Sequence, residues 1–153
     1  MPNTATYRQA TSMDLEALAM LRFEMEAERG NKTVDPKEYA AAFSASTGEE
    51  MKGRRQRAWL AEVDGQAVAC VLLVWWTLPP NFDSFSRKRG FVSNVYTKPA
   101  YRRQGIAREL MKILIASARE EGVGRLILWS SEMGRPLYEH LGFTGSRGLE
   151  LNL

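Results

Sequence analysis

The sequence predicts one mixed α/β domain with the element order β-α-α-β-β-β-α-β-α-β, and three observations lead there. A chain of 153 residues suits a single compact unit with a sizeable core. Its 44% hydrophobic and 25% charged residues are ordinary for a globular protein. Apolar residues recur at helical spacing in some stretches and in short strand-like runs in others, with no internal repeat or linker to divide residues 1–153.

The first strand is Thr6 to Ala10, followed by Thr11-Ser12-Met13-Asp14, where a hydroxyl with an acid three residues on caps a helix start. Leu15, Leu18, Leu21 and Met25 form the apolar stripe of a helix to about Glu28, and Gly30-Asn31 stops it. Asp35-Pro36 opens a second helix through Tyr39 and Phe43 towards Gly48. Ala58–Val63, Asp64-Gly65 and Ala67–Trp76 read as a hairpin, because Asp-Gly readily adopts the positive backbone angles that tight hairpin turns require. Pro79-Pro80 begins the longest loop, through Asn81 to Lys88, before a strand from Phe91 to Thr97. A long helix from Gln104 to Glu121, a buried strand Leu126–Trp129, a short helix Arg135–Leu141 and a closing strand Leu149–Leu153 complete the order.

Scarcity restricts the chemistry. With one Cys and one His, an internal disulfide and a typical four-ligand Cys/His zinc site are both excluded, and no metal is expected. Cys70 lies in the apolar run Val68–Leu72, which favours a buried, inert thiol over a nucleophile paired with His140. No Gly-x-Ser-x-Gly turn presents a serine. There is no membrane-length apolar run, and Met1 to Thr4 has no signal-peptide character, so a cytoplasmic setting is expected, in keeping with the solitary Cys.

The net charge of +3 suits anionic ligands without demanding nucleic acid. Its most informative concentration is Arg102-Arg103-Gln104-Gly105-Ile106-Ala107-Arg108, at the junction of a strand and the long helix. A helix start leaves backbone N–H groups unpaired and carries partial positive charge, so phosphates bind there. Gly105 and Ala107 keep side-chain bulk away from this turn, while Arg102, Arg103 and Arg108 add charge. The stretch matches neither a Walker A loop nor a dinucleotide fingerprint. Taken alone, it reads equally well as a helix start with packed small residues and solvated arginines.

Two separated stretches together resemble the GCN5-related N-acetyltransferase (GNAT) superfamily. Arg102-Arg103-Gln104-Gly105-Ile106-Ala107 is similar to its Arg/Gln-x-x-Gly-x-Gly/Ala pyrophosphate loop, and Leu137-Tyr138-Glu139-His140-Leu141-Gly142-Phe143 to its Tyr-bearing helix followed by Gly-Phe. The resemblance implies a mixed, mostly antiparallel central sheet flanked by helices, with acetyl-CoA or a related acyl-CoA as co-substrate. It implies a pantetheine arm paired with the main chain around Val95, Tyr96 and Thr97, and a pyrophosphate held from Arg102 through Arg108. Ser130 and Ser131 would line a gap between the strands bearing Val95 and Trp129, and Tyr138 would protonate the leaving thiolate. A phenol, with an ordinary pKa of about 10, is protonated at neutral pH. The alternative for Tyr138 is plain core packing beside Phe143.

The implied reaction is direct attack by a primary amine in a ternary complex. The strand Phe91–Tyr96 lacks the acid that serves as general base in some relatives, leaving Glu24, Glu28, Glu132 or a water chain at Ser93 and Asn94 as candidates. Trp75, Trp76 and Phe82 are candidates for an aromatic acceptor wall, with core packing as the rival reading. Two other functions remain: a non-catalytic acyl-CoA-binding domain, and a nucleic-acid module using the basic runs Lys52–Arg57 and Arg87–Arg89. The runs lack aromatic interleaving and read more simply as solvated loops, or as contacts for the adenine end of coenzyme A. Homodimers are common in the family, but no residue pattern here marks an interface.

Overall fold

The computed structural model describes residues 4–30, 32–82, 85–145 and 149–153. Asn31 of the expected helix stop, Asp83 and Ser84 of the expected long loop and residues 1–3 lie outside the described residues. The elements are β1 (Thr6–Gln9), α1 (Leu15–Arg29), α2 (Pro36–Lys52), β2 (Gln56–Val63), β3 (Gln66–Thr77), β4 (Lys88–Thr97), α3 (Ile106–Glu120), β5 (Val123–Ile127) and α4 (Arg135–His140).

The strands form one sheet in the order β1-β2-β3-β4-β5, with every neighbouring pair antiparallel except β4 and β5. The mixed sheet thus matches expectation. The β2–β3 turn carries the expected Asp64 and Gly65, both at positive φ (50° and 75°). At the start of α1, the Thr11 hydroxyl accepts from the Met13 N–H while Asp14 accepts from the Thr11 N–H, satisfying donors at the helix start. Asp35 caps α2 by accepting from the N–H groups of Lys37 and Glu38.

The two sheet faces are covered by different helices. Ile106, Leu110, Met111, Leu114 and Ala118 of α3 pack with Trp59, Val71, Leu73 and Val92 on one face. Leu18, Leu21 and Met25 of α1 pack with Leu60, Cys70, Leu72 and Tyr96 on the other. Burying each large aliphatic side chain contributes about 1.5–3 kcal/mol, so these two layers fix the sheet between the helices. Gly90 sits where β3, β4 and β5 crowd: a Cβ there would lie 2.7 Å from Leu126 Cδ2 and 2.9 Å from Leu73 Cδ1.

Two expectations are corrected. The strand placed at Leu126–Trp129 is Val123–Ile127, because pairing with β4 stops at Phe91 opposite Ile127 and the chain then turns out of the sheet. Trp129 packs its ring on Phe91 instead, with centroids 4.6 Å apart. The closing strand at Leu149–Leu153 is absent: the segment pairs with nothing among the described residues, and Leu149, Leu151 and Leu153 are fully or almost fully exposed.

Candidate functional site

The site grows from an irregularity in β4. Register against β3 shifts between Cys70, opposite Tyr96, and Leu72, opposite Ser93, so β4 carries an extra residue there. Asn94 adopts φ 54° at this bulge, a left-handed conformation that asparagine tolerates better than most residues. Its buried side chain accepts a 2.7 Å bond from the Arg22 guanidinium of α1 and a 3.2 Å bond from the Ser93 hydroxyl. Its carbonyl accepts from the Cys70 thiol, which burial pushes up to about 12 and so keeps protonated. A nucleophilic role for Cys70 is thereby disfavoured.

Beyond the bulge, β4 presents main-chain groups to an open side. The Lys98 N–H donates to the Val68 carbonyl of β3. Alternation along an antiparallel pair therefore turns the N–H and C=O of Thr97, and of Val95 before it, away from β3. Because β5 has parted from β4 at Phe91, no described strand pairs with this edge from Val92 to Thr97. The Val95 side chain packs in the α3-side core, while that of Tyr96 points to α1, where its hydroxyl donates to Glu28 at 2.6 Å and lies 3.4 Å from Glu24. Burial, then the neighbouring Glu28, raises the Tyr96 pKa.

The edge leads into the turn before α3. Arg102 is fastened there: Nε donates to the Thr97 carbonyl at 2.8 Å, the guanidinium bonds both Glu28 oxygens and its carbon lies 5.6 Å from the Tyr96 ring centre. It positions the turn rather than offering a free cation. Arg103 (φ 63°) and Gly105 (φ 79°) both have left-handed backbone, and Gly105 is the N-cap of α3 with no side-chain cap bond. Nothing lies within 4 Å of a Cβ built on Gly105, so the turn is open above its backbone. The N–H groups of the first helical turn have no intrahelical acceptor, and the helix dipole makes the place electropositive. Arg103, Gln104 and Arg108 are exposed around it, Ala107 is half-buried, and the Ile106 side chain anchors the turn in the core.

A groove of about 830 Å³ runs along β5, α4 and the end of α3, with Trp129, Ser130 and Tyr138 among its walls and no β4 residue lining it. Tyr138 is half-buried, its ring edge-on to Phe143 with centroids 6.0 Å apart, and its hydroxyl makes no hydrogen bond among the described residues. Burial raises its pKa, opposed by the charge of Arg29 at the end of α1. Ser131 accepts from the Gly134 N–H at the start of α4. A Cβ at Gly134 would stand 3.1 Å from Tyr138 Cε2, so this glycine leaves room for the ring.

Other sequence candidates fall elsewhere. Glu28 is engaged by Tyr96 and Arg102, which hold its carboxyl below the usual range and make it a poor base. Glu24 lies 3.6 Å from Lys98, and Glu132 is exposed. The aromatic wall does not assemble: Trp75 is a core residue, Trp76 is partly exposed and Phe82 is fully exposed. The basic runs lie at the β4 end remote from Gly105, where Arg57 pairs with Glu121 and Ser117, Lys88 with Glu121, and Arg55 with Glu50. Arg89 is buried against the carbonyls of Ser86 and Lys88. β4 spans about 30 Å at the usual rise, so these cations do not reach the Gly105 turn. His140 is exposed, with Nδ1 2.6 Å from the Pro136 carbonyl oxygen. Sequence reasoning passed over Arg22 and Trp129 as site residues. Only a fold that brings α1 onto β4, and carries Trp129 out of the sheet, reveals their neighbours.

Among the described residues, no group of three or more His, Cys, Asp or Glu side chains is arranged to hold a metal ion, and no helix is long and apolar enough to cross a membrane.

Comparison with known proteins gives the arrangement a context. Residues 17–143 match the family described as the acetyltransferase (GNAT) family. A glucosamine 6-phosphate N-acetyltransferase of Trypanosoma brucei brucei is 35% identical over 77 residues, a match covering 50% of this chain and 52% of that protein. The chain thus spans about half the length of this curated relative. A crystal structure described as a predicted acetyltransferase with acetyl-CoA from Clostridium acetobutylicum superposes with a TM-score of 0.87 at 25% identity, covering 97% of this chain and 96% of that one. A GCN5-related N-acetyltransferase from Ralstonia eutropha JMP134 gives 0.86 at 25% identity, covering 97% and 98%.

Proposed function

The chain belongs to the acetyltransferase (GNAT) family, and from that membership we propose that it is an acyl-CoA-dependent N-acetyltransferase, moving acetyl from acetyl-CoA to a primary amine by direct attack. The observation that carries the proposal is the unpaired β4 edge from Val95 to Thr97, running into the open left-handed turn at Gly105. An extended pantetheine arm carries amides that suit strand-like pairing with such an edge. The α3 N-terminus beyond it suits a pyrophosphate.

When bound, acetyl-CoA supplies an activated thioester carbonyl and a thiolate leaving group. In this reading the N–H groups from Arg103 to Ala107 hold the pyrophosphate, while Arg103, Gln104 and Arg108 form its rim. Ile106 and Arg102 position the turn, one from the core and the other through Thr97 and Glu28. Val95 and Thr97 pair with the arm, Tyr96 contributes main chain only, and the Val95 N–H donates to the oxyanion formed on attack. Ser130 lines the gap in this reading, and the Tyr138 hydroxyl, its pKa raised by burial, protonates the departing thiolate. In this reading the acceptor enters from the side of α1, where Arg22 bonds Asn94 and Arg29 places a positive charge that acts on Tyr138. Phosphorylated amino sugars are the first acceptor class to try, since the curated relative is named for glucosamine 6-phosphate.

Calorimetric titration with acetyl-CoA tests the reading. Wild-type protein binds, and Gly105→Glu, which places a carboxylate at the anion position, abolishes binding without unfolding the chain. Equal binding by both proteins overturns the assignment.

A further inference from the structure

The end of the sheet remote from Gly105 holds another cavity. β1 stops at Gln9, and the chain turns away once the Ala10 N–H has donated to the Ala58 carbonyl at 2.8 Å. β2 begins further out, at Gln56. Alternation along the pair turns the main-chain N–H and C=O of Gln56, like those of Ala58, towards the side β1 has left, where no described strand meets them. The end of α2 walls the space, whose volume of about 440 Å³ is in the range of small-molecule sites. Glu121 on its border follows the last residue of α3, a helix about 22 Å long, so the cavity is separate from the Gly105 turn.

Its polar groups are unevenly matched. The side-chain oxygen of Gln56 is buried and accepts no hydrogen bond, the one such buried side-chain atom among the described residues. An acceptor sealed from water without a donor is costly and rare in native folds. Lys52 and Arg54, at the end of α2, are exposed and their side chains make no ion pair or hydrogen bond among the described residues. The cavity's carboxylate, Glu121, is already taken by Arg57 and Lys88. Two uncommitted cations and one unsatisfied acceptor thus line the same space, beside the short walls of Ala10 and Gly48.

We propose that this cavity binds a small polyhydroxylated anion, a sugar phosphate or a sugar acid, with its charged group at Lys52 and Arg54 and a hydroxyl donating to Gln56 Oε1. Gln56 is only partly buried as a residue, so rotation of its side chain brings that oxygen to the ligand. Its main-chain N–H and C=O serve further ligand oxygens and hydroxyls. An apolar molecule would use neither the cations nor the acceptor, a bare anion offers Gln56 no donor, and a neutral polyol leaves the cations idle. The site stands on its own residues and does not depend on acetyl transfer.

Titration of the 15N-labelled full chain, followed by amide shifts, tests it with glucose 6-phosphate and gluconate as probes and with inorganic phosphate and sorbitol as controls. At least one probe is expected to bind about tenfold more tightly than either control, the factor that one or two added hydrogen bonds supply, with shifts at Ala10 and Gln56. Binding of glucose 6-phosphate alone marks a phosphate ester as the ligand, and binding of gluconate alone a sugar acid. Gln56→Met is expected to weaken binding about tenfold while its melting temperature stays at or above that of wild type, which separates lost ligand contact from lost structure. Lys52→Gln/Arg54→Gln, at exposed positions, weakens it as well, and Gly105→Glu binds the probe unchanged. Neither probe exceeding both controls, wild-type affinity in either cavity variant, or shifts confined to the Gly105 turn and Tyr138 overturns the proposal.

Discussion

Replacing Tyr138 by Phe separates chemistry from packing unusually well. The hydroxyl makes no hydrogen bond among the described residues, whereas the ring packs on Phe143 and fills the space left by Gly134. Phe keeps the ring and forfeits no hydrogen bond, so stability should change by no more than about 0.5 kcal/mol. Loss of a general acid lowers turnover by about 10²–10⁴-fold, equivalent to about 3–5 kcal/mol in the barrier. Because burial raises the phenol pKa, wild-type Tyr138 stays protonated through neutral and mildly alkaline pH. Its contribution is lost only as pH rises through that raised value, and Tyr138→Phe should lack this alkaline limb. Steady-state release of free thiol, followed from pH 7 to 10.5 beside a thermal melt, is the assay. A kcat within threefold of wild type, or an equal fall in kcat and melting temperature, would refute the acid assignment.

Gly90→Ala should cost about 1–3 kcal/mol by overpacking, because its Cβ meets Leu126 and Leu73 inside 3 Å; urea unfolding measures this, and a loss below 0.5 kcal/mol would contradict the close approach. Arg102→Ala should raise the acetyl-CoA Kd several-fold by releasing the turn from Thr97 and Glu28, and Arg102→Lys should restore little because lysine lacks the planar fork; full rescue by lysine counts against a positioning role. The Asp14 carboxyl, bonded chiefly to Arg8, is lowered from 3.8 to about 2. A lowered folded-state pKa makes its stabilisation complete above the unfolded value and lost as pH falls through about 2. Discounted for the partly exposed Arg8, its share is about 1 kcal/mol. Asp14→Asn should therefore remove about that much at pH 6 and little at pH 2, read from denaturant midpoints, and an equal loss at both pH values would exclude the linkage.

How much was legible in the sequence depends on the range of the interactions involved. The Asp64-Gly65 turn and the caps at Thr11 and Asp35 rest on contacts within a few residues, and each is visible in the local pattern. Gly105 is legible for the same reason, since its left-handed backbone is a local need. Asn94 is different. Its bulge is held by Arg22, 72 residues away, and by Cys70 across the sheet, so nothing near Asn94 announces it. Trp75 and Trp76 looked alike as neighbours, yet the pleat buries one and leaves the other partly exposed. Arg102 looked like a phosphate ligand from its charge; the carbonyl and carboxylate that occupy it come from β4 and α1. The alternation at Leu149–Leu153 is a genuine strand signal, but a strand also needs an edge, and the isolated chain leaves this one without it.

The central claim is acetyl transfer to an amine using the β4 edge and the Gly105 turn. Its most direct test follows acetyl-CoA consumption by thiol release and product mass, using glucosamine 6-phosphate, other small primary amines and peptide amines. The account predicts an acetyl-CoA-dependent product 42 Da heavier than at least one amine, about the mass an acetyl group adds when it replaces a proton, with turnover lost in Gly105→Glu and reduced at least a hundredfold in Tyr138→Phe. Turnover unaffected by Gly105→Glu, or acetyl-CoA binding with no acetylated amine from any of these classes, would contradict it.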